Sequence, residues 1–569
     1  MKKQFERRID EHGEEYLATD LPGYFLMRLP LLNKSTAFTL EERREFGLEG
    51  LLPPHVATLE KQLVRTYANF QRSTSDIEKH VYLRNLQDRN EVLFFALVES
   101  HLEEMLPIIY TPTVAEAVRR FSNLYRSARG IVVSTENIDN IDKVLEYATM
   151  PDVKLAVATD SEGILGIGDQ GYGGIGICIG KLTLYSAAAG IDPATTLPIE
   201  LDVGTNRADL LDDPLYLGVR HQRLEGQAYY DFIERFVDAF KRRFPGALLQ
   251  WEDFSKQKAF NVLTRYQQEL PSFNDDIQGT GVVVLAGLLA TTRKTKRSLL
   301  DEVILVHGAG AGGVGVADQV IAGLVSLGAS EADARRQVFV IDSRGLLLND
   351  RPDLDDYKRH LARDPADVAG WRTAGGIPTL LETVKNAKVS VLLGLSGQRG
   401  AFDQQVVEEV SANTPSPIVF ALSNPTDYSE AVPADVFAWS RGRAIVATGS
   451  PFPAVEYDGV KHLIGQGNNA FVFPGLGLGT LLAGAQQVTP GMLIAAAEAL
   501  AAYTDPGSLS AGSVYPRISA LRRASKHVAT AVLEQSLREG SATREIAGDL
   551  ADHIGAAMWE PRYLPIRRA

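Results

Sequence analysis

The sequence predicts an α/β protein in which a helical N-terminal region is followed by two wound units, each built on a parallel sheet. Residues 1–128 repeat apolar positions at helical spacing, as in NEVLFFALVESHLEEML. From residue 153 onward, apolar strand-like runs alternate with helix-like stretches, and the first of them end in acidic or glycine-containing turns. That alternation is typical of parallel strands joined by helices. A chain of 569 residues has room for three or four structural units.

The strands are expected in two groups. The first group is VKLAVATD (153–160), TTLPIELDVG (195–204) and ALLQWEDF (247–254). The second group is VILVH (303–307), VFVID (338–342), VSVLLGL (389–395), PIVFALS (417–423) and AIVATG (444–449). From about residue 467 the pattern returns to helix, after a turn at FPGLGLGTLLAG. The basic, proline-containing end WEPRYLPIRRA is expected to lie over a surface or a neighbouring subunit.

Composition excludes several classes of protein. The 58 Lys and Arg residues are outnumbered by 71 Asp and Glu, and the formal net charge of −13 argues against binding to nucleic acid or to an anionic membrane surface. A single cysteine, Cys178, excludes an intrachain disulfide and a thiolate-rich metal site. The start MKKQFERRIDEHGEE has no apolar core of the kind that a signal peptide needs. We therefore expect a cytoplasmic protein, or one in an organelle matrix if an import segment was removed.

The clearest cofactor motif is HGAGAGGVGVAD, which directly follows the predicted strand VILVH. Gly308, Gly310 and Gly313 form G-x-G-x-x-G, the loop that lets a pyrophosphate approach the backbone and the N-terminus of the next helix. Asp342 ends the following strand, where a carboxylate can accept hydrogen bonds from an adenosine ribose. It lies 34 residues after Gly308, beyond the usual spacing of about 20, and the helical insert EADARRQ accounts for the difference. These features favour dinucleotide binding over a glycine turn that merely packs a helix on a sheet.

A second glycine motif, GILGIGDQGYGG, also fits this pattern through Gly166, Gly168 and Gly171. Asp169 inside the loop would repel a pyrophosphate, and no acidic strand end follows at a suitable distance. We expect a turn in which glycines let other groups approach.

Two acidic motifs point to a divalent cation. Glu252 and Asp253 end a predicted strand in WEDF, and Asp275 and Asp276 in FNDDI precede the second unit. Carboxylates at the carboxyl ends of strands converge on the ligand crevice of an α/β sheet, and oxygen donors suit Mg²⁺ or Mn²⁺. The alternative is that Asp275 or Asp276 caps a helix.

Lys181 and Tyr110 are candidates for acid–base chemistry. Lys181 lies among apolar residues in GICIGKLTLY, and burial lowers the proton affinity of a lysine enough for it to act as a base. A lysine with its head in solvent is the commoner arrangement. Tyr110 in IIYTPTVAEA would normally be a core residue, and only a site nearby would make it an acid.

Taken together, these residues resemble the malic enzyme family over nearly the whole chain. The matching segments are IIYTPTVAEA, GILGIGDQGYGGIGICIGKL, LDVGTNR, DPLYLGVRH, WEDF, FNDDIQGTG, ALSNPT, ATGSPF and GQGNNAFVFPG. The resemblance implies a homodimer or homotetramer with a helical N-terminal domain, a split α/β substrate and metal domain, an inserted Rossmann-type NAD-binding domain and a C-terminal arm. In this sequence those parts are 1–128, 129–276 plus 467–540, 277–466 and 541–569.

The resemblance also implies roles for particular residues. The metal ligands would be Glu252, Asp253 and Asp276, with Asp275 beside them. Lys181 would remove the proton from the 2-hydroxyl of malate, and Tyr110 would protonate C3 of the enol. Asn424 and Asn469 would position the substrate and the nicotinamide, with Asn468 nearby.

The activity implied is NAD-dependent oxidative decarboxylation of (S)-malate to pyruvate and CO₂, with NAD preferred over NADP because Asp342 ends its strand.

One departure is informative: many family members read D-G-E-R-I-L-G, where the arginine clamps a malate carboxylate, and this chain has Gly163 at that position. The Ser-Glu-Gly version is similar to malolactic enzymes, which release lactate without net redox change. A metal-free 2-hydroxyacid dehydrogenase and a noncatalytic NAD-binding protein are alternatives of other classes.

Overall fold

The computed structural model describes residues 4–147, 152–164 and 166–569. The chain divides into two compact units. Unit 1 comprises Met1–Ser161, Asp169–Ala247 and Ala557–Ala569, and unit 2 comprises Glu162–Gly168 and Leu248–Ala556. The four-part division expected from the family resemblance stays a prediction. No helix among the described residues is both long and apolar enough to cross a bilayer.

Unit 1 contains the helical N-terminal region and the first parallel strands. Its strands are β1 (Glu6–Ile9), β2 (Glu15–Ala18), β3 (Ile131–Ser134), β4 (Leu155–Thr159) and β5 (Thr196–Asp202). Its helices are α1 (Gly23–Leu26), α2 (Leu40–Glu45), α3 (Leu59–Phe70), α4 (Asp76–Gln87), α5 (Glu91–Ser100), α6 (Leu102–Ile109), α7 (Thr113–Arg119), α8 (Phe121–Leu124), α9 (Ile141–Tyr147), α10 (Ile175–Ala189), α11 (Ala208–Leu211) and α12 (Gly226–Arg243).

The position of α10 matters most for function. Strand β5 pairs in parallel with β3 on one side and β4 on the other, and α10 packs on β4 and β5. Almost every side chain of α10 is buried, in keeping with its sequence IGICIGKLTLYSAAA, which is apolar on all faces. The helix ends at Gly190, whose φ of +62° is the left-handed conformation that a glycine adopts without strain.

Unit 2 contains the second group of strands and the C-terminal helices. Its strands are β6 (Leu248–Trp251), β7 (Ser272–Asn274), β8 (Ile304–His307), β9 (Val338–Asp342), β10 (Gly345–Leu346), β11 (Val391–Gly394), β12 (Ile418–Ala421), β13 (Ile445–Thr448), β14 (Val455–Tyr457), β15 (Val460–His462) and β16 (Gly465–Gln466). Its helices are α13 (Lys256–Tyr266), α14 (Thr280–Thr295), α15 (Ala311–Ser326), α16 (Glu331–Gln337), α17 (Pro365–Val368), α18 (Leu380–Ala387), α19 (Gln404–Asn413), α20 (Pro433–Trp439), α21 (Phe473–Ala483), α22 (Pro490–Tyr503), α23 (Pro506–Ser510), α24 (Leu521–Arg538) and α25 (Leu550–Ala557).

The main sheet of unit 2 has the strand order β10-β9-β8-β11-β12-β13-β16. Counted from β8, the first six of these strands follow the 3-2-1-4-5-6 order of the Rossmann fold, and β16 adds a seventh strand beside β13. Only the pairing of β10 with β9 is antiparallel. Because the chain runs outward in both directions from β8, the crevice between the carboxyl ends of β8 and β11 is the topological switch point where such sheets bind ligands.

The structure confirms the α/β fold class and corrects two local expectations. The N-terminal region is mainly helical but starts with the hairpin β1–β2, whose first strand is exposed and therefore lacks an apolar alternation. The segment FPGLGLGTLLAG forms helix α21 rather than a turn. Its glycines fit there because a Cβ on Gly475 would lie 2.7 Å from the Ser525 carbonyl oxygen, so α21 and α24 pack closely only without side chains at such positions.

The C-terminal segment, which belongs to unit 1, packs on a surface of that unit. This is one of the two placements expected from the sequence, the other being a neighbouring subunit. Its last strand, Ile566–Arg567, runs parallel to β2. The backbone N–H of Ile566 also donates to the buried carboxylate of Glu42, which forms an ion pair with Lys34.

Candidate active site

The acidic residues of unit 2 meet at one edge of a strand pair. Strands β6 and β7 are parallel neighbours with Trp251 opposite Asn274. The residues that follow each strand therefore emerge at the same edge of the sheet. Glu252 and Asp253 follow β6, and Asp276 lies two residues after β7.

The carboxylates of Glu252, Asp253 and Asp276 form a cluster in which one oxygen of each lies within 4.8 Å of the others. Glu252 and Asp253 are only 2% and 4% exposed. Three carboxylates at this separation repel one another in a buried site unless a cation lies between them. An all-oxygen set of this kind fits Mg²⁺ or Mn²⁺.

The backbone holds this cluster in a specific shape. Asp253 has φ +58°, a left-handed conformation that is uncommon outside glycine and is found at functional sites. Its N–H donates to Asp276 Oδ2 at 2.7 Å, which orients the Asp276 carboxylate. The amide of Gln250 donates to Glu252 Oε2 at 2.7 Å. Gln250 was not identified from the sequence, since it was one polar residue inside an otherwise apolar strand.

Asp275 has a different environment from Asp276. It is fully buried, and the Asn469 amide donates to its Oδ2 at 3.0 Å and to its carbonyl oxygen at 3.1 Å. The same amide donates to Thr280 Oγ1 at 3.0 Å. The expectation that Asp275 or Asp276 caps a helix is not what the structure shows, because Asn274 supplies the cap by accepting from the Ile277 N–H. Asp275 and Asn469 thus support the backbone next to the carboxylate cluster.

Gly163, at the position of the family arginine, packs directly against this strand end. Its N–H donates to the Asp253 carbonyl oxygen at 2.7 Å. A Cβ at Gly163 would lie 2.8 Å from the Phe254 carbonyl oxygen and 3.1 Å from that of Asp253. The preceding residue, Glu162, forms an ion pair with Lys258 at 2.8 Å. A side chain at position 163 would therefore force this loop out of its present conformation.

We expect Gly163→Ala to weaken Mn²⁺ binding by about tenfold, because the backbone that places Asp253 must shift to admit the methyl group. Mn²⁺ affinity is measured by electron paramagnetic resonance titration of free Mn²⁺. The control is Gly370→Ala, because a Cβ at Gly370 meets open space. Unchanged Mn²⁺ affinity in Gly163→Ala would show that this packing does not shape the cluster.

Lys181 and Tyr110 lie together in unit 1. Lys181 is in the middle of α10 and only 2% exposed. Its ammonium nitrogen lies 5.3 Å from the centre of the Tyr110 ring. Gly180 allows this approach, since a Cβ there would be 3.1 Å from Tyr110 Cδ2. Of the two arrangements considered for Lys181, the structure shows the buried one, and it places Lys181 beside Tyr110.

The glycine loop after β8 has the geometry expected of a dinucleotide site. Gly308 has φ +117°, and a Cβ there would lie 2.4 Å from the Leu395 carbonyl group, which follows β11. A Cβ at Gly313 would lie 1.7 Å from the Gly308 carbonyl oxygen, so helix and strand pack too closely for any side chain. A Cβ at Gly310 meets nothing within 4 Å. Gly308 and Gly313 thus allow the helix and the strand to pack tightly. Gly310 leaves open space at the N-terminus of α15. This arrangement fits the pyrophosphate of a dinucleotide.

Asp342 ends β9 as predicted, but its carboxylate is already engaged by an arginine. Arg351, only 4% exposed, donates to Oδ1 at 3.0 Å and to Oδ2 at 2.8 Å. Lys358 lies 4.0 Å from Oδ2. From the sequence, Arg351 is recognisable only as a basic residue nine positions after Asp342.

In the second glycine motif, Gly166 packs against another loop of unit 2. Gly166 has φ +78°, and a Cβ there would lie 2.9 Å from the Asn424 carbonyl oxygen. The side-chain oxygen of Asn424 accepts from Ser450 at 2.6 Å. Further along the motif, in unit 1, Asp169 pairs with Arg223 at 2.6 Å. Although burial alone would raise the pKa of Asp169, the hydrogen bond and charge of Arg223 lower it overall.

Comparison with known proteins identifies the family. Residues 277–537 match the family model described as the NAD-binding domain of malic enzyme, and residues 87–267 match that of the malic enzyme N-terminal domain. A Pseudomonas aeruginosa (strain UCBPP-PA14) protein named NAD-dependent malic enzyme is 47% identical over 547 residues, covering 96% of this chain and 97% of that protein. The chain belongs to the malic enzyme family. An Acinetobacter baylyi malic enzyme family member of the same name is 45% identical, with 96% of each chain covered.

Solved structures of malic enzymes share the fold. The malic enzyme of Entamoeba histolytica superposes with a TM-score of 0.56 at 22% identity, covering 90% of both chains. That of Pyrococcus horikoshii superposes with a TM-score of 0.54 at 26% identity, covering 80% of this chain and 89% of the other. The resemblance seen in the sequence motifs is therefore confirmed.

Proposed function

We infer that this chain catalyses the oxidative decarboxylation of (S)-malate to pyruvate and CO₂ with reduction of NAD. Sequence identity of 45% to 47% over nearly the full length to proteins named NAD-dependent malic enzyme supports this function. The observation in the structure that carries it is the cluster of Glu252, Asp253 and Asp276, because this reaction needs a cation where the C2 oxygen of the substrate binds. A bound Mg²⁺ or Mn²⁺ supplies Lewis acidity that polarises that oxygen.

Side chains of the protein supply the proton transfers. We assign Lys181 as the base that takes the proton of the malate 2-hydroxyl as hydride leaves C2 for the nicotinamide. We assign Tyr110 as the acid that delivers a proton to C3 after the C4 carboxylate has left as CO₂. The Lys181 nitrogen lies 5.3 Å from the centre of the Tyr110 ring. This distance supports the pairing, because the base and the acid must both reach the same bound substrate. Asn424 and Asn469 are assigned to positioning substrate and nicotinamide.

Product analysis tests the function. With (S)-malate, NAD⁺ and Mn²⁺, we expect NADH and pyruvate to form in equal amounts, measured by absorbance and by chromatography. Lactate formed without free NADH would instead identify a malolactic enzyme, the alternative that Gly163 favours. Undiminished activity in EDTA would contradict the metal assignment.

The enzyme is expected to prefer NAD⁺ over NADP⁺ by at least about tenfold in kcat/KM, because the 2′-phosphate adds about two negative charges beside Asp342. Three cations near Asp342 are candidates to receive the phosphate, and in the described part of the chain all three are already paired. Arg344 pairs with Asp353 at 3.1 Å, and Lys358 pairs with Asp355 at 2.8 Å. Arg351 pairs with both Asp342 and Asp353.

Steady-state kinetics with both nucleotides at saturating malate and Mn²⁺ measures this preference. Asp353→Asn should release Arg344 and narrow the preference by raising kcat/KM for NADP⁺. The matched control is Asp350→Asn, an exposed residue of the same loop. A wild-type preference for NADP⁺ would contradict the prediction.

We also propose that the protein acts in the cytoplasm as a homodimer or homotetramer. The bacterial origin of the relatives supports the cytoplasm, and the homo-oligomer is what membership of the family implies.

A further inference from the structure

Unit 1 contains a small pocket that the proposed reaction does not use. Its volume is about 100 Å³, and it lies between α4, α7, α8 and α10. Phe121, Tyr125, Ile175 and Ile179 form its apolar walls, and Arg84 lines it from α4. We call it the Arg84 pocket.

Arg84 is a partly buried cation that forms no ion pair within the described residues, although the carboxylates of Asp88 and Glu91 lie close enough that their charges act to raise its pKa. Its guanidinium donates to the Gln87 side-chain oxygen and to Thr183 Oγ1, the latter at 3.3 Å, and both acceptors are neutral. Within residues 4–147, 152–164 and 166–569, no carboxylate forms an ion pair with it. Burial lowers the pKa of Arg84 to about 9, and the positive charge of Arg129 adds to the effect. Arg84 is thus still charged at neutral pH, at a cost in desolvation.

The nearby carboxylates are committed to a different arginine. Arg129 pairs with Asp88 at 2.9 Å and also pairs with Glu91. Asp88 accepts a further hydrogen bond from Ser127. Arg126 also lines the pocket as an exposed cation. His80 has its pKa lowered to about 4 by burial and by the charge of Arg84, so at neutral pH it carries no charge. In and beside the pocket, the three arginines Arg84, Arg126 and Arg129 outnumber the two carboxylates of Asp88 and Glu91, which leaves one surplus positive charge.

We propose that the Arg84 pocket binds a small organic carboxylate, whose charged group pairs with Arg84 and whose body fills the space between the apolar walls. A guanidinium presents two parallel N–H groups that match the two oxygens of a carboxylate. A single surplus charge among apolar walls suits a monocarboxylate better than a phosphate. Thr183, which Arg84 contacts, lies two residues after Lys181 on α10, so the pocket adjoins the helix that carries the assigned base.

Calorimetric titration of the full-length protein with benzoate tests this proposal, with benzamide as the uncharged probe of the same shape. We expect benzoate to bind at least about tenfold more tightly than benzamide, and Arg84→Met to remove that difference. The control is Arg119→Met, which removes an exposed arginine on α7 outside the pocket and should leave both affinities unchanged. Because the readout is binding, the test does not depend on the malic enzyme activity.

A second variant keeps the proposal testable if Arg84→Met disturbs folding. Ile179→Trp should fill the pocket and abolish binding of both probes, while the melting temperature monitors folding in each variant. Equal affinities for benzoate and benzamide, unchanged benzoate affinity in Arg84→Met, or competition between benzoate and malate would each overturn the proposal. The last result would place benzoate in the substrate site.

Discussion

Asp276→Ala is expected to lower Mn²⁺ affinity by more than about 100-fold and to abolish turnover at low Mn²⁺. The carboxylate of Asp276 lies in the cluster with Glu252 and Asp253, and under the proposed assignment the change removes a direct ligand. Loss of a group that only orients a ligand typically costs 10- to 100-fold, so loss of a ligand itself should exceed that range. Mn²⁺ titration by electron paramagnetic resonance and initial rates over a range of Mn²⁺ concentrations measure both effects.

The matched control is the neighbouring carboxylate, Asp275. Because Asp275 accepts a hydrogen bond from Asn469 and is not one of the three carboxylates of the cluster, Asp275→Asn should reduce Mn²⁺ affinity by about tenfold at most. Near-normal activity of Asp276→Ala at low Mn²⁺, or a larger loss in Asp275→Asn, would show that the two roles are assigned the wrong way round.

Lys181→Met is expected to lower kcat for malate oxidation by about 10²- to 10⁴-fold, the range that a positioned base contributes. Methionine fills most of the same buried volume, so the packing of α10 should be preserved and the melting temperature should change little. Lys154→Met, an exposed lysine of the same unit, is the control and should keep full activity. A kcat within threefold of the wild type would rule out Lys181 as the base.

Tyr110→Phe separates the two half-reactions. The variant keeps the ring that packs beside Lys181 and Gly180 and removes only the hydroxyl. Decarboxylation to pyruvate should slow strongly, because the enol lacks its acid, whereas reduction of oxaloacetate by NADH should persist. Reduction of oxaloacetate is followed by NADH absorbance, and formation of pyruvate from oxaloacetate is followed by chromatography. Equal losses in the two would count against Tyr110 as the acid.

Local sequence patterns determined the fold class and most of the candidate site. Apolar runs that alternate with helical stretches predicted the α/β architecture, because a buried parallel strand needs apolar side chains on both faces. Gly308, Gly310 and Gly313 were identifiable because their spacing follows from one strand–loop–helix unit. Glu252 and Asp253 were identifiable because they directly follow a strand. In each case the physical constraint acts within a few consecutive residues.

Only the tertiary structure decided how distant residues change the chemistry of these sites. The sequence presented Asp342 as an open carboxylate, and folding places the guanidinium of Arg351 on both of its oxygens. The sequence presented Gly163 as a missing cation, and folding shows a position where the Phe254 carbonyl leaves no room for a side chain. Arg84 likewise became notable only because folding buries it and assigns its neighbouring acids to another arginine. Such pairings depend on which charges come together across loops, and residue spacing along the chain does not encode that.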